Sequence, residues 1–141
     1  MRLRVCEYNY SCAVVLIVVF IDGMAKNRLL LGLIGISGAS GVAAGAIGAH
    51  AIKDRTESMK EVWKTGTQYH LIHTCGAAIA ALNLTGRKQV LVSSLFLTGI
   101  VLFSGSCYAV VLMNQRRPYS YPAPIGGFAL IGGWLALGLL P

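Results

Sequence analysis

The stretch LLLGLIGISGASGVAAGAIGAH, Leu29 to His50, carries no charged side chain. About twenty apolar residues is what an α-helix needs to cross the hydrocarbon core of a bilayer. Such a helix is apolar all round and has no face to offer water, whereas in lipid its backbone bonds are satisfied within itself. Its glycines constrain the fold further. Gly38, Gly41, Gly45 and Gly48 are spaced three, four, three, which at about 3.6 residues per turn puts them on one side. Gly in a helix interior costs roughly 1 kcal/mol relative to Ala. A chain that accepts this cost four times on one face is expected to bring another backbone close to it.

The rest of the chain repeats the pattern. Three further charge-free runs follow, at Tyr69–Leu84 (with its helix starting a turn earlier, near Thr65), Val90–Met113 and Ile125–Leu140. Each carries its own stripe of small or weakly polar residues. In the second run it is His73, Gly76, Ala80 and Asn83; in the third, Ser94, Thr98, Val101, Gly105 and Tyr108; in the fourth, Gly126, Ala129, Gly133 and Ala136. A period near 3.5 residues belongs to left-handed helix packing. Gly86-Arg87-Lys88 makes a tight turn between the second and third runs, so these two form an antiparallel hairpin. The sequence therefore predicts an all-α integral membrane protein, four transmembrane helices in an up-down-up-down bundle over residues 26–141.

Charge fits the same picture. Of 141 residues 55% are hydrophobic and 12% charged, with a net charge of +7. The bases fall between the apolar runs, where they flank membrane spans and reach head groups, so a lipid bilayer and not nucleic acid is the expected partner. Counting bases leaves the orientation open: Lys26, Arg28, Arg87 and Lys88 lie at one end, while six at the other are diluted by three acids. Between the first two runs, Ala51–Gln68 reads either as a short interfacial helix, with Ser58-x-x-Glu61 as a capping box and Trp63 at head-group level, or as a solvated loop.

Residues 1–25 stand apart. Arg2 and Arg4 precede the apolar run Cys12–Ile21, which is too short to span and has the length of a signal-peptide core. A removable signal, an uncleaved targeting segment, and an upstream stretch before a start at Met24 all fit. The four cysteines, Cys6, Cys12, Cys75 and Cys107, form no C-x-x-C pair, so a zinc ribbon, a thioredoxin motif and a haem attachment site are absent.

The small-residue helix ending Gly48-Ala49-His50, the segment Tyr69-His70-Leu71-Ile72-His73, the run Phe103-Ser104-Gly105-Ser106-x-Tyr108, and Ala123-Pro124-Ile125-Gly126-Gly127 leading to Gly133-Trp134 occur in that order. This ordered set resembles the transmembrane protein 256 family of small four-helix membrane proteins of unknown function, whose bacterial members are known as YgdD. His70-x-x-His73 resembles its eukaryotic branch. The resemblance implies the fold and the membrane; it supplies no reaction and no catalytic residue.

Chemistry has few places to reside. The three histidines gather at one end of the predicted bundle, His50 closing the first span and His70 and His73 opening the second. Three imidazoles can hold a metal, and two on separate helices can ligate haem; alternatively they cap helix ends and hold the first hairpin together. No Asp, Glu, Lys or Arg lies inside a span, which weighs against an ion-coupled carrier. Phe103-Ser104-Gly105-Ser106 lacks the spacing and the strand of a nucleophile elbow. The chain is expected to be no enzyme and to need no cofactor. The leading reading is a scaffold or accessory subunit that docks other membrane helices or itself through Gly38, Gly41, Gly45, Gly48, Gly76, Gly105, Gly126 and Gly133. A metal- or haem-binding protein using His50, His70 and His73, and a small dimeric transporter, are the alternatives. The expected location is a mitochondrial inner membrane or an endomembrane.

Overall fold

The computed structural model describes residues 8–139, with side chains from residue 28 onward. The signal-like reading of residues 1–25 falls outside the described side chains. Four helices account for the regular structure: α1, Tyr8–His50; α2, Glu57–Asn83; α3, Gly86–Leu112; and α4, Ala123–Leu139. They form an all-α bundle. The α2–α3 connection is two residues long, Leu84 and Thr85, and Gly86 opens α3 at φ +61°. That left-handed backbone is accessible to glycine without the Cβ penalty other residues meet.

Two helical stretches among the described residues, Arg28–His50 and Gly86–Leu112, are long and apolar enough to cross a membrane. The expectation of four such spans is met only in part, for two physical reasons. Helix α4 has 17 residues, about 25 Å at helical rise, short of a hydrocarbon core of about 30 Å. Helix α2 is long enough, but its first turns carry Glu57, Lys60, Glu61 and Lys64. Residues 51–68 are accordingly no separate interfacial helix, because α2 runs through from Glu57. Its cap is Thr56, whose side chain accepts from the Met59 amide, and not the predicted box at Ser58.

The four helices do not close into a square. Helices α2 and α3 form the central pair, α1 packs mainly on α2, and α4 mainly on α3. The backbones of α1 and α4 do not approach each other. A core of Ile34, Ala77, Ala80, Val92, Phe96, Ile100 and Leu130 runs through the middle. A second core, Ala44, Ile52, Trp63 and Val111, closes the end where α1 turns into α2. Being central, α2 must bury two faces. It does so with small residues, so that Gly76, Ala77, Ala80 and Ala81 are all buried while Asn83, at the end of the predicted stripe, is exposed. On α3 the buried line is Val92, Ser93, Phe96, Gly99 and Ile100. The predicted stripe of Ser94, Thr98 and Val101 points outward. Size and polarity alone misled there: Phe96 is bulky but fits between glycines of two other helices.

Candidate functional site

The polar groups inside the bundle converge on His70. Its Nε2 lies 3.2 Å from Ser37 Oγ on α1 and its Nδ1 3.2 Å from the Tyr108 hydroxyl on α3. Ser37 Oγ is 2.8 Å from Thr74 Oγ1, and Thr74 in turn donates to the His70 carbonyl at 2.8 Å. A carbonyl only accepts, so the protons can be assigned in sequence. Thr74 gives its proton to the backbone, Ser37 gives its own to Thr74, His70 Nε2–H donates to Ser37, and Tyr108 donates to His70 Nδ1. Thr67 Oγ1, which gives its own proton to the Trp63 carbonyl, lies 3.5 Å from the Tyr108 hydroxyl as a second, longer acceptor, and three helices are tied together through one neutral ring. Ser40 donates to the Ser37 carbonyl at 2.9 Å and sits 3.5 Å from Nε2.

This corrects an expectation. Spacing placed His73 inside and His70 nearer to water, yet both are 7% exposed. His70 faces the α1 side of α2, a side that a single-stripe reading leaves out. His73 donates through Nδ1 to the Tyr69 carbonyl at 2.7 Å and packs against the rings of Phe96 and Trp134. His50 is exposed at the end of α1. The three imidazoles are not gathered, and among the described residues no group of three or more His, Cys, Asp or Glu is placed to hold a metal ion.

The glycines sort by what a methyl added to them would meet. On Gly41 it would lie 2.7 Å from Leu71 Cδ2, and on Gly48 2.7 Å from the Trp63 ring. Gly38 and Gly45 are looser, at 3.7 Å from Thr74 and 3.8 Å from Thr67. The Phe96 ring sits between two bare positions, Gly76 at 3.0 Å and Gly133 at 2.8 Å. At Gly126 the new atom would fall on the Phe103 backbone nitrogen, where α4 crosses α3. Gly105 differs: nothing lies within 4 Å of a methyl there, and it faces a groove. Two tight positions escaped the sequence reading, Gly66 against Cys107 and Gly99 against Leu130. The residues three and four away on the same face, Val62, Trp63 and Tyr69 for Gly66 and Leu95, Phe96, Leu102 and Phe103 for Gly99, are large, so no stripe marks them.

Trp63 is buried between α1 and α2, in the charged first turns of α2. Its indole fills the space over Gly48 and donates from Nε1 to the Ala44 carbonyl at 2.8 Å. Gly48→Leu is expected to expel the indole and cost about 2 kcal/mol through lost packing and an unpaired Nε1–H. Thermal unfolding in detergent, together with a red-shifted tryptophan emission, measures it.

Helices α1 and α3 lie on the same side of α2 and touch little. Between them runs a groove of about 620 Å³ with walls such as Leu33, Ile36, Leu97 and Val101, and with Ser40, His70 and Tyr108 at one end.

An all-helical bundle with this exterior, and with buried polar side chains that are paired save for the Ser104 hydroxyl among the described residues, is a helical membrane protein. It belongs to the family described as "Protein of unknown function (DUF423)", whose model matches residues 44–127. The UPF0382 inner membrane protein YgdD of Escherichia coli (strain K12) is 35% identical over 114 residues, 77% of this chain and 85% of the relative. The UPF0382 membrane protein YwdK of Bacillus subtilis (strain 168) is 36% identical over 98 residues, 66% and 79% of the two chains. A UPF0382 membrane protein of Staphylococcus epidermidis is 36% identical over 97 residues, 66% and 78%. No solved structure matches. These bacterial relatives overturn the assignment to a eukaryotic transmembrane protein 256 branch. That assignment leaned on His70, a single side chain, which the structure makes a hydrogen-bonding centre between Ser37 and Tyr108. Neither the family description nor these names states an enzymatic activity.

Proposed function

We propose that this chain is a multi-pass scaffold or accessory subunit that docks another membrane helix on the outer face of α1. The supporting observation is how bare that face is. Gly32, Gly35, Ala39, Ala43 and Ala46 share one side, all exposed, opposite the side that carries Ile34, Gly41 and Ala44 to α2. A methyl on Gly32 or Gly35 would meet nothing within 4 Å. In lipid, small residues let a second backbone approach. Only 17% of the apolar stretch of α1 is buried, against 39% of α3.

Multi-pass placement draws on the exterior of all four helices. Ile36, Leu82, Val101 and Phe128, one from each, are at least 68% exposed, a surface suited to hydrocarbon and not to water. Residues 1–25 are then an extension to a membrane domain of residues 26–141, and the compartment is the mitochondrial inner membrane or an endomembrane, read by fractionation.

Two measurements test this. Single cysteines at residues 54, 85 and 116, labelled from outside sealed vesicles, are expected to put 54 and 116 on one side and 85 on the other; any other grouping overturns the up-down-up-down placement. A photocrosslinker at residue 39 is expected to join a second helix, either another protein's or a second copy's. Gly35→Leu should abolish that adduct while thermal stability is unchanged. Lipid adducts alone, or an adduct insensitive to Gly35→Leu, would reject docking on this face.

A further inference from the structure

We infer that the groove between α1 and α3 is a binding site, open sideways to the bilayer, for an uncharged lipid alcohol. Three observations define the occupant. The first is charge. Among the described residues no charged side chain lines this groove, whereas a second, smaller one of about 320 Å³ is lined by Lys60, Glu61 and Lys64. An ionised head in the first groove would be buried without a partner.

The second is the direction of the polar groups. Ser40, His70 and Tyr108 lie toward the end of the groove that leads to the His50 and Leu112 helix ends, while Leu33 and Leu97, with Thr98 as the one hydroxyl there, lie toward the other. Tyr108 is four residues from the last residue of α3, about 6 Å at helical rise. Ser40 is ten residues from the last residue of α1, about 15 Å, so a lipid entering from the side would hold its hydroxyl inside this half of the bilayer and run its tail along the apolar end of the groove.

The third is the proton inventory. Ser40 gives its proton to the Ser37 carbonyl, and the Tyr108 proton is taken up by His70 at 3.2 Å with Thr67 as a second acceptor at 3.5 Å. What both oxygens keep is lone pairs. They suit a head that donates, a hydroxyl, better than one that only accepts, such as an ester or a quinone carbonyl. Gly105 leaves the wall bare between the two ends, and a methyl there would meet nothing within 4 Å.

Diacylglycerols, sterols and polyprenols all carry this chemistry. The probe is a diacylglycerol with a photoreactive acyl tail, in phosphatidylcholine nanodiscs holding the full chain. Labelling of α1 and α3 along the groove is expected to saturate. Excess unlabelled diacylglycerol, sterol or polyprenol should compete, and whichever does so names the source. Diacylglycerol acetylated at its hydroxyl should compete about tenfold less well, the value of one hydrogen bond to a paired site. Gly105→Leu should remove the labelling at unchanged thermal stability, and Gly132→Leu, which fills open space on α4, should keep it. If Gly105→Leu fails to fold, the acetylated competitor on the wild-type chain decides alone. Labelling that does not saturate, equal competition by the acetylated lipid, or a second copy of the chain crosslinked into the groove would each overturn the inference.

Discussion

Replacing Gly126 by alanine is expected to destabilise the protein by about 1–3 kcal/mol, although the change adds a single methyl group. That methyl would fall on the backbone of Leu102 and Phe103. A side chain in the way can rotate; a backbone inside a hydrogen-bonded helix can yield only by moving the helix. Gly99 lies at the same crossing, where a methyl would be 3.1 Å from the Gly126 carbonyl oxygen, so α4 has no nearby space to slide into. The contrast is Gly105→Ala, on the same pair of helices but facing the groove. It should be neutral or stabilising by up to about 1 kcal/mol, the difference in helix propensity between the two residues. Thermal unfolding of both variants in one detergent measures the difference. Equal behaviour would show that the close crossing of α3 and α4 is not what holds them together.

The second large effect is expected at His70. His70→Leu leaves Ser37 and Tyr108 without the partners they have at 3.2 Å, and should cost about 1–3 kcal/mol. A double-mutant cycle with Tyr108→Phe should return a coupling of about 0.6–1.7 kcal/mol, the range for hydrogen bonds between helices in a membrane. His73→Ala loses its bond to the Tyr69 carbonyl and its ring packing. His50→Ala, at an exposed helix end, should stay within about 0.5 kcal/mol of wild type. Chelator should change none of these values. Equal losses at the three histidines, matched by chelator on the wild type, would bring back a metal site.

How much of this was visible in the sequence depends on how many faces a helix buries. The four helices and their short hairpin follow from charge-free runs and a turn, because lipid demands both. Helix α1 packs mainly on α2, and there the three-four-three stripe contains two close approaches, Gly41 and Gly48, while the buried Ile34 and Ala44 lie outside it. Helix α2 packs on two sides, and one stripe found His73 while missing His70. On α3 the reading failed differently. Small and hydroxylated residues were placed inward and Phe96 was not considered, yet Phe96 is fully buried between Gly76 and Gly133. A large residue belongs wherever two other helices leave room, and that room is a property of three helices together. The amphipathic pattern of residues 51–68 points to the level of Trp63 but not to its neighbours; the notch over Gly48 and the Ala44 carbonyl belong to another helix.

Because α1 and α4 do not meet at the backbone, the molecule is a row and not a ring. Damage to one flank then has no direct route to the other. Gly41 abuts Leu71 and His70, Gly126 abuts Leu102 and Phe103, and no neighbour is shared. Substitutions at the two seams should add to within about 0.3–0.5 kcal/mol. A row also tolerates unequal loyalty among its members: either outer helix can loosen, tilt or trade its neighbour for a foreign one while the α2–α3 hairpin stands.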